Sequence, residues 1–301
     1  MKRLVIVYNR NSSKSKHVEA EVLSKLPSDH TEFVVDNTKN VDGNAADLAK
    51  FVLPGDRIIA AGGDGTATIC VNAILNSGIE DISFGIIPFG NFNDMARTFG
   101  FMNVSDMIKP DVATVSAYPL ELLVDGEHFR YGMCYFTLGM FAESTKIFDQ
   151  DKIRKQLRRR RCTRPRAFVF LANWYVKHRH DAFLPKMFKL NGCAIKNATD
   201  YVAVNSATMA SMMRNRKRSF TKQTFVSKTG NLGRWRGLIG IMVPSVIWQI
   251  PGHSTKRDLL EFESQVDLEV QAEGEYFTLQ QVSTLEVRKP TRTVNIITNR
   301  P

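Results

Sequence analysis

Short apolar strands alternate with helices over the first third of the chain, and this alternation constrains the fold more than any other sequence feature. Residues 4–8 are an unbroken apolar run, typical of a parallel strand that is covered on both faces. Residues 18–26 have a helical pattern that ends just before Pro27. Strands that alternate with helices at this spacing predict a doubly wound α/β domain. The other strands predicted in this part are 31–35, 56–60 and 82–87, and the other helices are 44–52 and 67–75.

The pattern changes after about residue 118, where strand-like segments follow one another. Asp125-Gly126 and Asn191-Gly192 each lie between two such segments, which is typical of β-hairpins. This part is therefore predicted to be mainly antiparallel β. Its predicted strands are 120–124, 129–138, 183–190, 193–196, 201–205, 237–243, 259–263, 266–271 and 284–288, with one helix at 166–177.

These patterns divide the chain into two domains. We predict an α/β domain over residues 1–117 and an antiparallel β-sandwich domain over residues 118–290. The segment 291–301, with a strand at 293–297, is expected to return to the first domain. A cleft between the two domains is the expected place for an active site.

A glycine-rich run, Gly62-Gly63-Asp64-Gly65-Thr66, joins a predicted strand to a predicted helix. Glycines allow positive φ and let the backbone approach a ligand closely. The unpaired amides that open the helix form a site for an anion such as phosphate. No lysine follows the second glycine, so the run is not a Walker loop. An ordinary tight turn is the alternative interpretation.

Two further loops lie at the same predicted edge, because both follow strands of the α/β domain. Residues 88–97 contribute Asn91, Asn93 and Asp94. Amides can hydrogen-bond phosphate or sugar oxygens, while a carboxylate can hold Mg²⁺ or cap the helix. Residues 9–14 follow the first strand and offer amide and hydroxyl donors, or a capped helix start.

Taken together, the three loops resemble the diacylglycerol kinase catalytic domain, and most closely the bacterial soluble lipid kinases. The pattern is N-x-x-S, then GGDGT, then P-x-G-x-x-N-D-x-A-R. GGDGT is shared with NAD kinases, whereas the motif at 88–97 favours the lipid-kinase branch. The resemblance implies that ATP and Mg²⁺ are used to phosphorylate a lipid hydroxyl, with diacylglycerol as the first expected acceptor and phosphatidic acid as the product. A sphingoid base or another hydroxyl compound is an alternative acceptor. A catalytically impaired relative that binds nucleotide or membrane as a regulator is an alternative function.

The resemblance implies a nucleotide-binding domain at 1–117 and a substrate domain at 118–290. It also implies roles for individual residues. The glycine-rich run would cradle the phosphates, and Asp64 and Asp94 would be the metal-linked or phosphate-orienting carboxylates. Glu273, in the turn Glu273-Gly274-Glu275, matches an acidic residue that acts as the general base in the family, and we expect Glu273 and Asp64 to be catalytic. The nucleotide-binding residues implied in this way are Asn9, Ser12, Thr38, Gly62, Gly63, Asp64, Gly65, Thr66, Asn91, Asn93 and Asp94.

The chain departs from the family pattern at several positions. Arg10 and Ser13 replace a proline and a glycine, Asn91 replaces a threonine, and Phe92 replaces a small residue. Ile69 stands where an acidic residue is usual, and an acidic segment that holds a structural Mg²⁺ in some bacterial members has no clear counterpart. These departures keep the impaired relative open as an alternative.

The 301 residues carry 41 Lys and Arg but only 30 Asp and Glu, a formal net charge of +11. Basic stretches at 152–166 and 214–218 are expected to dock on an acidic membrane surface, at about 1 kcal/mol per cation. A solvated charged face is the second interpretation and nucleic acid the third, because no nucleic-acid-binding motif accompanies the charge.

The sequence contains neither a cleavable signal pattern nor an apolar run of membrane-spanning length. Its four cysteines lack metal-ligand spacing, so we expect reduced thiols with neither a zinc site nor a disulfide framework. We therefore expect a cytoplasmic enzyme that acts peripherally at the inner membrane face. The sequence leaves the oligomeric state open, with a homodimer as one alternative.

Overall fold

The computed structural model describes residues 3–12, 15–90, 93–149, 169, 173–174, 176–178, 181, 183–209, 213–215, 220–230 and 253–299. The first part of the chain forms strands and helices in alternation. In chain order these elements are β1 (Leu4–Tyr8), α1 (Ser15–Glu21) with a 3₁₀ turn at Leu23–Lys25, β2 (Thr31–Val34), α2 (Val41–Phe51), β3 (Arg57–Gly62), α3 (Asp64–Ser77), β4 (Ser83–Pro88), α4 (Asp94–Phe99), α5 (Val104–Met107) and β5 (Thr114–Ala117).

The second part is built mainly from antiparallel strands. Its elements are β6 (Leu120–Val124), β7 (Glu127–Gly132), β8 (Tyr135–Gly139), α6 (Met140–Asp149), β9 (Met187–Leu190), β10 (Cys193–Lys196), β11 (Asp200–Val204), β12 (Thr208–Met209), β13 (Met213–Arg214), β14 (Phe225–Gly230), β15 (His253–Thr255), β16 (Arg257–Ala272) and β17 (Glu275–Arg288), followed by β18 (Val294–Ile297).

The first sheet has the strand order β2-β1-β3-β4-β18-β5. Strands β1 to β4 are parallel to their neighbours, β18 is parallel to β4, and β5 is antiparallel to β18. Because β2 lies on one side of β1 and β3 on the other, the chain changes direction at β1. The crevice beyond the carboxyl ends of β1 and β3 is therefore the place where such sheets bind ligands.

Helices cover both faces of this sheet. On one face α2 and α3 pack against alternate strand residues such as Val5 and Ile58. On the other face Val18 of α1 packs against Ile6 and Ile59. Both faces are thus buried against helices, which explains the unbroken apolar strands and confirms the doubly wound α/β prediction.

The second domain, as far as it is described, is an antiparallel sheet of ten strands. Its main path runs β15-β14-β11-β8-β16-β17-β6-β7, with β9 paired to β16 and β10 to β9. The antiparallel β class is therefore confirmed. Register shifts between Glu261 and Leu268 interrupt the β16–β17 pairing, and such bulges bend strands. Leu122, Phe136, Tyr201 and other apolar side chains of this sheet form a second core.

The bounds of three predicted strands in this domain are wrong. Segments 259–263 and 266–271 belong to one strand, β16, which bulges rather than ends between them. Residues 129–138 form two strands, β7 and β8, because the chain turns at Met133-Cys134. This turn places the amides of Cys134 and Tyr135 against the Glu273 carboxylate.

Helix α6 follows β8 directly, and the sequence patterns did not predict it. Asp200 of β11 holds its first turn by accepting a hydrogen bond from the Phe141 amide at 3.0 Å. Burial raises the pKa of Asp200 to about 7, and hydrogen bonds from Thr199 and from backbone amides oppose this rise.

Several predictions lie wholly or mostly outside the described residues. These are the helix 166–177, the strand 237–243, the basic stretch 152–166 and most of the basic stretch 214–218. Among the helices that the structure describes, none is long and apolar enough to cross a bilayer.

Candidate functional site

The glycine-rich run joins β3 to α3, as the sequence predicts, but its glycines serve close packing and not positive φ. None of Gly62, Gly63 and Gly65 has a positive φ. A Cβ on Gly62 would lie 2.4 Å from Thr66 Oγ1, and a Cβ on Gly63 would lie 3.1 Å from the Gly90 Cα. A side chain at Gly62 would therefore displace Thr66 in the first turn of α3, and one at Gly63 would push the loop after β4 away. The expectation of positive φ in this run is wrong.

The start of α3 is open toward the crevice. Gly63 is the N-cap residue and provides no side-chain hydrogen bond to the first turn. A Cβ on Gly65 would meet no atom within 4 Å, so there is free space above the first turn. Backbone donors at the positive end of a 14-residue helix, next to free space, suit an anionic ligand such as phosphate.

Loops after β1 and β2 complete this edge. Tyr8 pairs with Ala61 across the sheet, so Asn9 follows β1 beside the start of the glycine run. Asn9 donates to Asn37 Oδ1 at 2.8 Å. The hydroxyl of Thr38 donates to Asp36 at 2.7 Å, and this carboxylate also accepts from the Thr38 amide. The predicted nucleotide residues Asn9 and Thr38 therefore belong to two loops that are in contact.

Ser12 and Asn44 fix the shape of these loops. The Ser12 amide donates to the Asn9 carbonyl at 3.2 Å and closes the turn after β1. The buried Asn44 of α2 accepts from the Asp36 amide at 2.8 Å and donates to the carbonyls of Asp36 and Asn40. The sequence reasoning missed Asn44, which lies at the edge of a predicted helix.

The loop after β4 is locked by Asn93. Its side chain accepts from the Gly90 amide at 2.9 Å and donates to the Gly90 carbonyl at 2.8 Å, while its own backbone has φ 52°. Asn93 thus shapes the loop that contacts the glycine run. Asn91, the other predicted amide, lies outside the described residues.

The Asp64 carboxylate joins the glycine run to the loop after β4, because Oδ1 accepts from the Met95 amide at 3.3 Å. Burial raises the pKa of Asp64, and hydrogen bonds from the amides at the start of α4 oppose this rise. Asp64 directly precedes Gly65, where an added Cβ would meet no atom within 4 Å.

Asp94 points toward the second domain. It is buried, Oδ1 accepts from the Thr208 hydroxyl at 2.7 Å, and the Tyr135 hydroxyl lies 3.5 Å from Oδ2. These contacts favour a bridging role for Asp94. Within the described residues, no group of three or more His, Cys, Asp or Glu side chains is arranged to hold a metal ion.

Glu273 lies in the two-residue turn between β16 and β17, where Glu273 and Gly274 have φ values of 54° and 88°. The carboxylate is buried, and Oε1 accepts from the amides of Cys134 and Tyr135 at 2.6 Å and 3.0 Å. Oε2 is buried without a hydrogen-bond partner in the described structure. Burial raises the pKa of Glu273 to about 8 against the two amides that lower it, and the charge of Asp64 adds to the rise.

Three carboxylates from both domains converge on one short segment. The charges of Asp64, Asp94 and Glu273 all contribute to a raised pKa at Tyr135, although burial is the larger cause. The structure therefore brings together the glycine run, the loop after β4 and the turn at 273–275, which are far apart in the sequence.

Comparisons with known proteins agree with this geometry. The family model of the diacylglycerol kinase catalytic domain matches residues 3–118. Residues 3–118 belong to this family. No curated protein matches the sequence.

Solved structures resemble the whole chain. Two candidate diacylglycerol kinases from Bacillus anthracis str. Sterne match with TM-scores of 0.70 and 0.68 at 16% and 18% identity. The alignments cover 99% of this chain and 98% and 97% of those chains. At this identity the likeness shows the two-domain fold, which extends past the matched catalytic domain.

The diacylglycerol kinase catalytic domain is joined to the β domain by polar contacts that the sequence reasoning missed. Asn72 of α3 donates to the Tyr131 carbonyl and accepts from the Tyr131 amide, both at 3.0 Å. Asn72 is a buried polar residue within an otherwise apolar stretch of α3. A polar residue in such a stretch is the sequence pattern that could have identified it. Arg130, next to Tyr131, gave no such signal because a single arginine in a hairpin strand is an ordinary feature.

Proposed function

We propose that the protein is an ATP-dependent lipid kinase that transfers the γ-phosphoryl group to a lipid hydroxyl, with diacylglycerol as the first acceptor to test. The observation that carries the proposal is Glu273. This buried carboxylate of the second domain has one oxygen held by two amides and the other without a partner in the described structure. The charge of Asp64, in the kinase-family domain, contributes to its raised pKa. This arrangement suits a base that faces a phosphate site.

The first domain would hold the nucleotide. Phosphoryl transfer depends mainly on positioning and on charge stabilisation. Amides at 62–66 would bind the phosphates, and Asn9, Ser12 and Thr38 would flank the nucleotide. Asn93 keeps the loop after β4 in place, and Asn91 of the same loop would be a further nucleotide-binding residue.

Residues suited to a magnesium ion are the carboxylates at this edge. Mg²⁺ is usually bound by one or two carboxylates together with substrate phosphates, and it would neutralise the charge of those phosphates. Asp64 fits this role because it borders the open start of α3. Asp94 is buried against Thr208 and fits it less well.

Glu273 would accept the proton of the acceptor hydroxyl. A base works best when its pKa lies near the operating pH, and the raised pKa of about 8 meets this condition. The two amides keep Oε1 in place, so Oε2 is the oxygen that takes the proton.

The test is turnover of labelled ATP in mixed micelles that contain diacylglycerol and Mg²⁺. Asp64→Asn and Glu273→Gln should each reduce kcat by about 100-fold or more, as expected for loss of a phosphate-site carboxylate or a general base. Glu263→Gln is the matched control, because Glu263 is exposed on the same strand, β16, that leads to Glu273. Product formed with a sphingoid base but not with diacylglycerol would identify the sphingoid base as the acceptor. Nucleotide binding without turnover on any lipid would instead support an impaired regulator.

The basic stretches 152–166 and 214–218 are proposed to bring the enzyme to acidic membranes. Sedimentation with vesicles of anionic phospholipid should be lost at high salt, because charge attraction is screened. Equal binding to neutral vesicles would contradict this docking mode.

A further inference from the structure

Arg130 of β7 binds carboxylates from both domains at once. Its Nε and Nη2 donate to the two oxygens of Asp42 at 3.0 Å and 2.5 Å, and its Nη1 donates to Glu275 Oε2 at 2.5 Å. The guanidinium also lies over the ring of Phe277, 4.1 Å from its centroid. The Arg130 side chain is fully buried, whereas Asp42 and Glu275 are 45% and 32% exposed.

The two carboxylates belong to the two halves of the site. Asp42 lies in the first turn of α2, directly after the loop that carries Thr38. Glu275 opens β17, two residues after Glu273. Arg130 therefore lies between the loop proposed to contact the nucleotide and the turn that carries the proposed base.

The chemistry of the group makes this link stiff. A guanidinium forms two parallel hydrogen bonds with one carboxylate, which fixes direction as well as distance. Removing one partner of a buried ion pair leaves an uncompensated charge and is strongly destabilising. The neighbouring Tyr131 is held by Asn72 of α3, so β7 is attached to both α2 and α3.

We propose that Arg130 is a positioning residue, which sets the separation between the phosphate donor and the base across the domain boundary. This inference rests on the proposed function of the site. Arg130 itself contacts neither the glycine run nor Glu273 in the contacts described above. It acts through Asp42 and Glu275, and a displacement of about 1 Å at a reacting group can cost about 100-fold in rate.

The experiment compares three variants of the full chain. Arg130→Lys keeps the charge but loses the two parallel hydrogen bonds to the Asp42 carboxylate. The triple variant Asp42→Asn, Arg130→Met, Glu275→Gln removes all three charges together, so that no uncompensated charge is left to unfold the protein. Arg257→Met is the control, since it removes an ion pair with Glu286 (2.9 Å) in the same sheet, and Arg257 is largely exposed.

Two readouts separate positioning from general stability. In the triple variant kcat should fall by about 10- to 100-fold while the KM for ATP stays within about threefold. Arg130→Lys should lie between the triple variant and the wild type. Amide hydrogen exchange at Cys134 and Tyr135, which donate to Glu273, should become at least about tenfold faster as the turn loosens. Exchange at Ile58 and Ile59 in β3, and all kinetic constants of Arg257→Met, should stay unchanged.

An unchanged kcat together with unchanged exchange at Cys134 and Tyr135 in the folded triple variant would overturn the proposal. If the wild-type protein phosphorylates no lipid, the proposed function fails, and the exchange readout still decides whether Arg130 holds the turn in place.

Discussion

Replacing Glu273 by glutamine removes a buried charge and leaves the size of the side chain nearly unchanged. The glutamine Oε1 can still accept from the amides of Cys134 and Tyr135, which lie 2.6 Å and 3.0 Å from the glutamate oxygen. The new amide group takes the place of Oε2, which has no partner in the described structure. The substitution should therefore change electrostatics more than packing.

The magnitude follows from the pKa of Glu273, which burial raises from 4.5 to about 8. The native state holds a proton on Glu273 between these values, whereas the unfolded state has released it. Stability therefore falls as the pH rises from about 4.5 to about 8, and then levels off. One pKa unit is worth about 1.4 kcal/mol, so the ceiling of the loss is about 5 kcal/mol. Relaxation around the ion reduces it, and we expect about 2–4 kcal/mol.

Urea unfolding of the wild type and Glu273→Gln at pH 5, 7 and 9 measures this loss. The variant should gain stability over the wild type as the pH rises, with most of the gain in place at pH 9. Glu263→Gln, at an exposed position, should show a constant difference. A difference between Glu273→Gln and wild type that stays the same from pH 5 to pH 9 would refute the account of Glu273 as a carboxylate with a raised pKa.

Four further substitutions test the contacts around the site. Asn72→Ala should cost about 2–3 kcal/mol in urea unfolding, because both hydrogen bonds to Tyr131 are lost in a buried place; a cost below about 0.5 kcal/mol would contradict it. Thr208→Val should cost about 1–3 kcal/mol, since Asp94 loses a buried donor, and an unchanged denaturation midpoint would count against the bridging role of Asp94. Gly62→Ala should weaken both nucleotide binding, measured by calorimetry, and stability, measured by thermal unfolding, because its Cβ would lie 2.4 Å from Thr66 Oγ1. Gly65→Ala should weaken nucleotide binding alone, because its Cβ meets nothing within 4 Å. Equal stability losses for the two glycine variants would show that close packing is not the reason for Gly62.

Local sequence patterns predicted the α/β domain well because its strands and helices are coded within short windows. Strand β1 was predicted at its observed bounds, Leu4–Tyr8. Each glycine or asparagine loop at a strand end was also predicted as part of the site. These features depend on apolar periodicity and on turn residues, which are local.

Features that depend on distant residues could not be predicted in this way. Helix α6 is capped by Asp200, 59 residues after Phe141. The break between β7 and β8 is supported by Glu273, 139 residues after Cys134. Arg130 is an ordinary hairpin arginine until the fold brings Asp42 and Glu275 to it.

The position of β18 has a consequence for how the protein can be made and cut. Val294–Ile297 lies between β4 and β5, so the sheet that begins at Leu4 stays incomplete until residue 297 has been synthesised. A fragment that ends at residue 118, where the family match stops, would leave β4 with an open edge and β5 without a neighbour. Open edges of this kind pair with other chains. The catalytic domain is therefore unsuited to expression as an isolated fragment. Both domains must be translated before the glycine run and the loop after β4 are supported by a finished sheet.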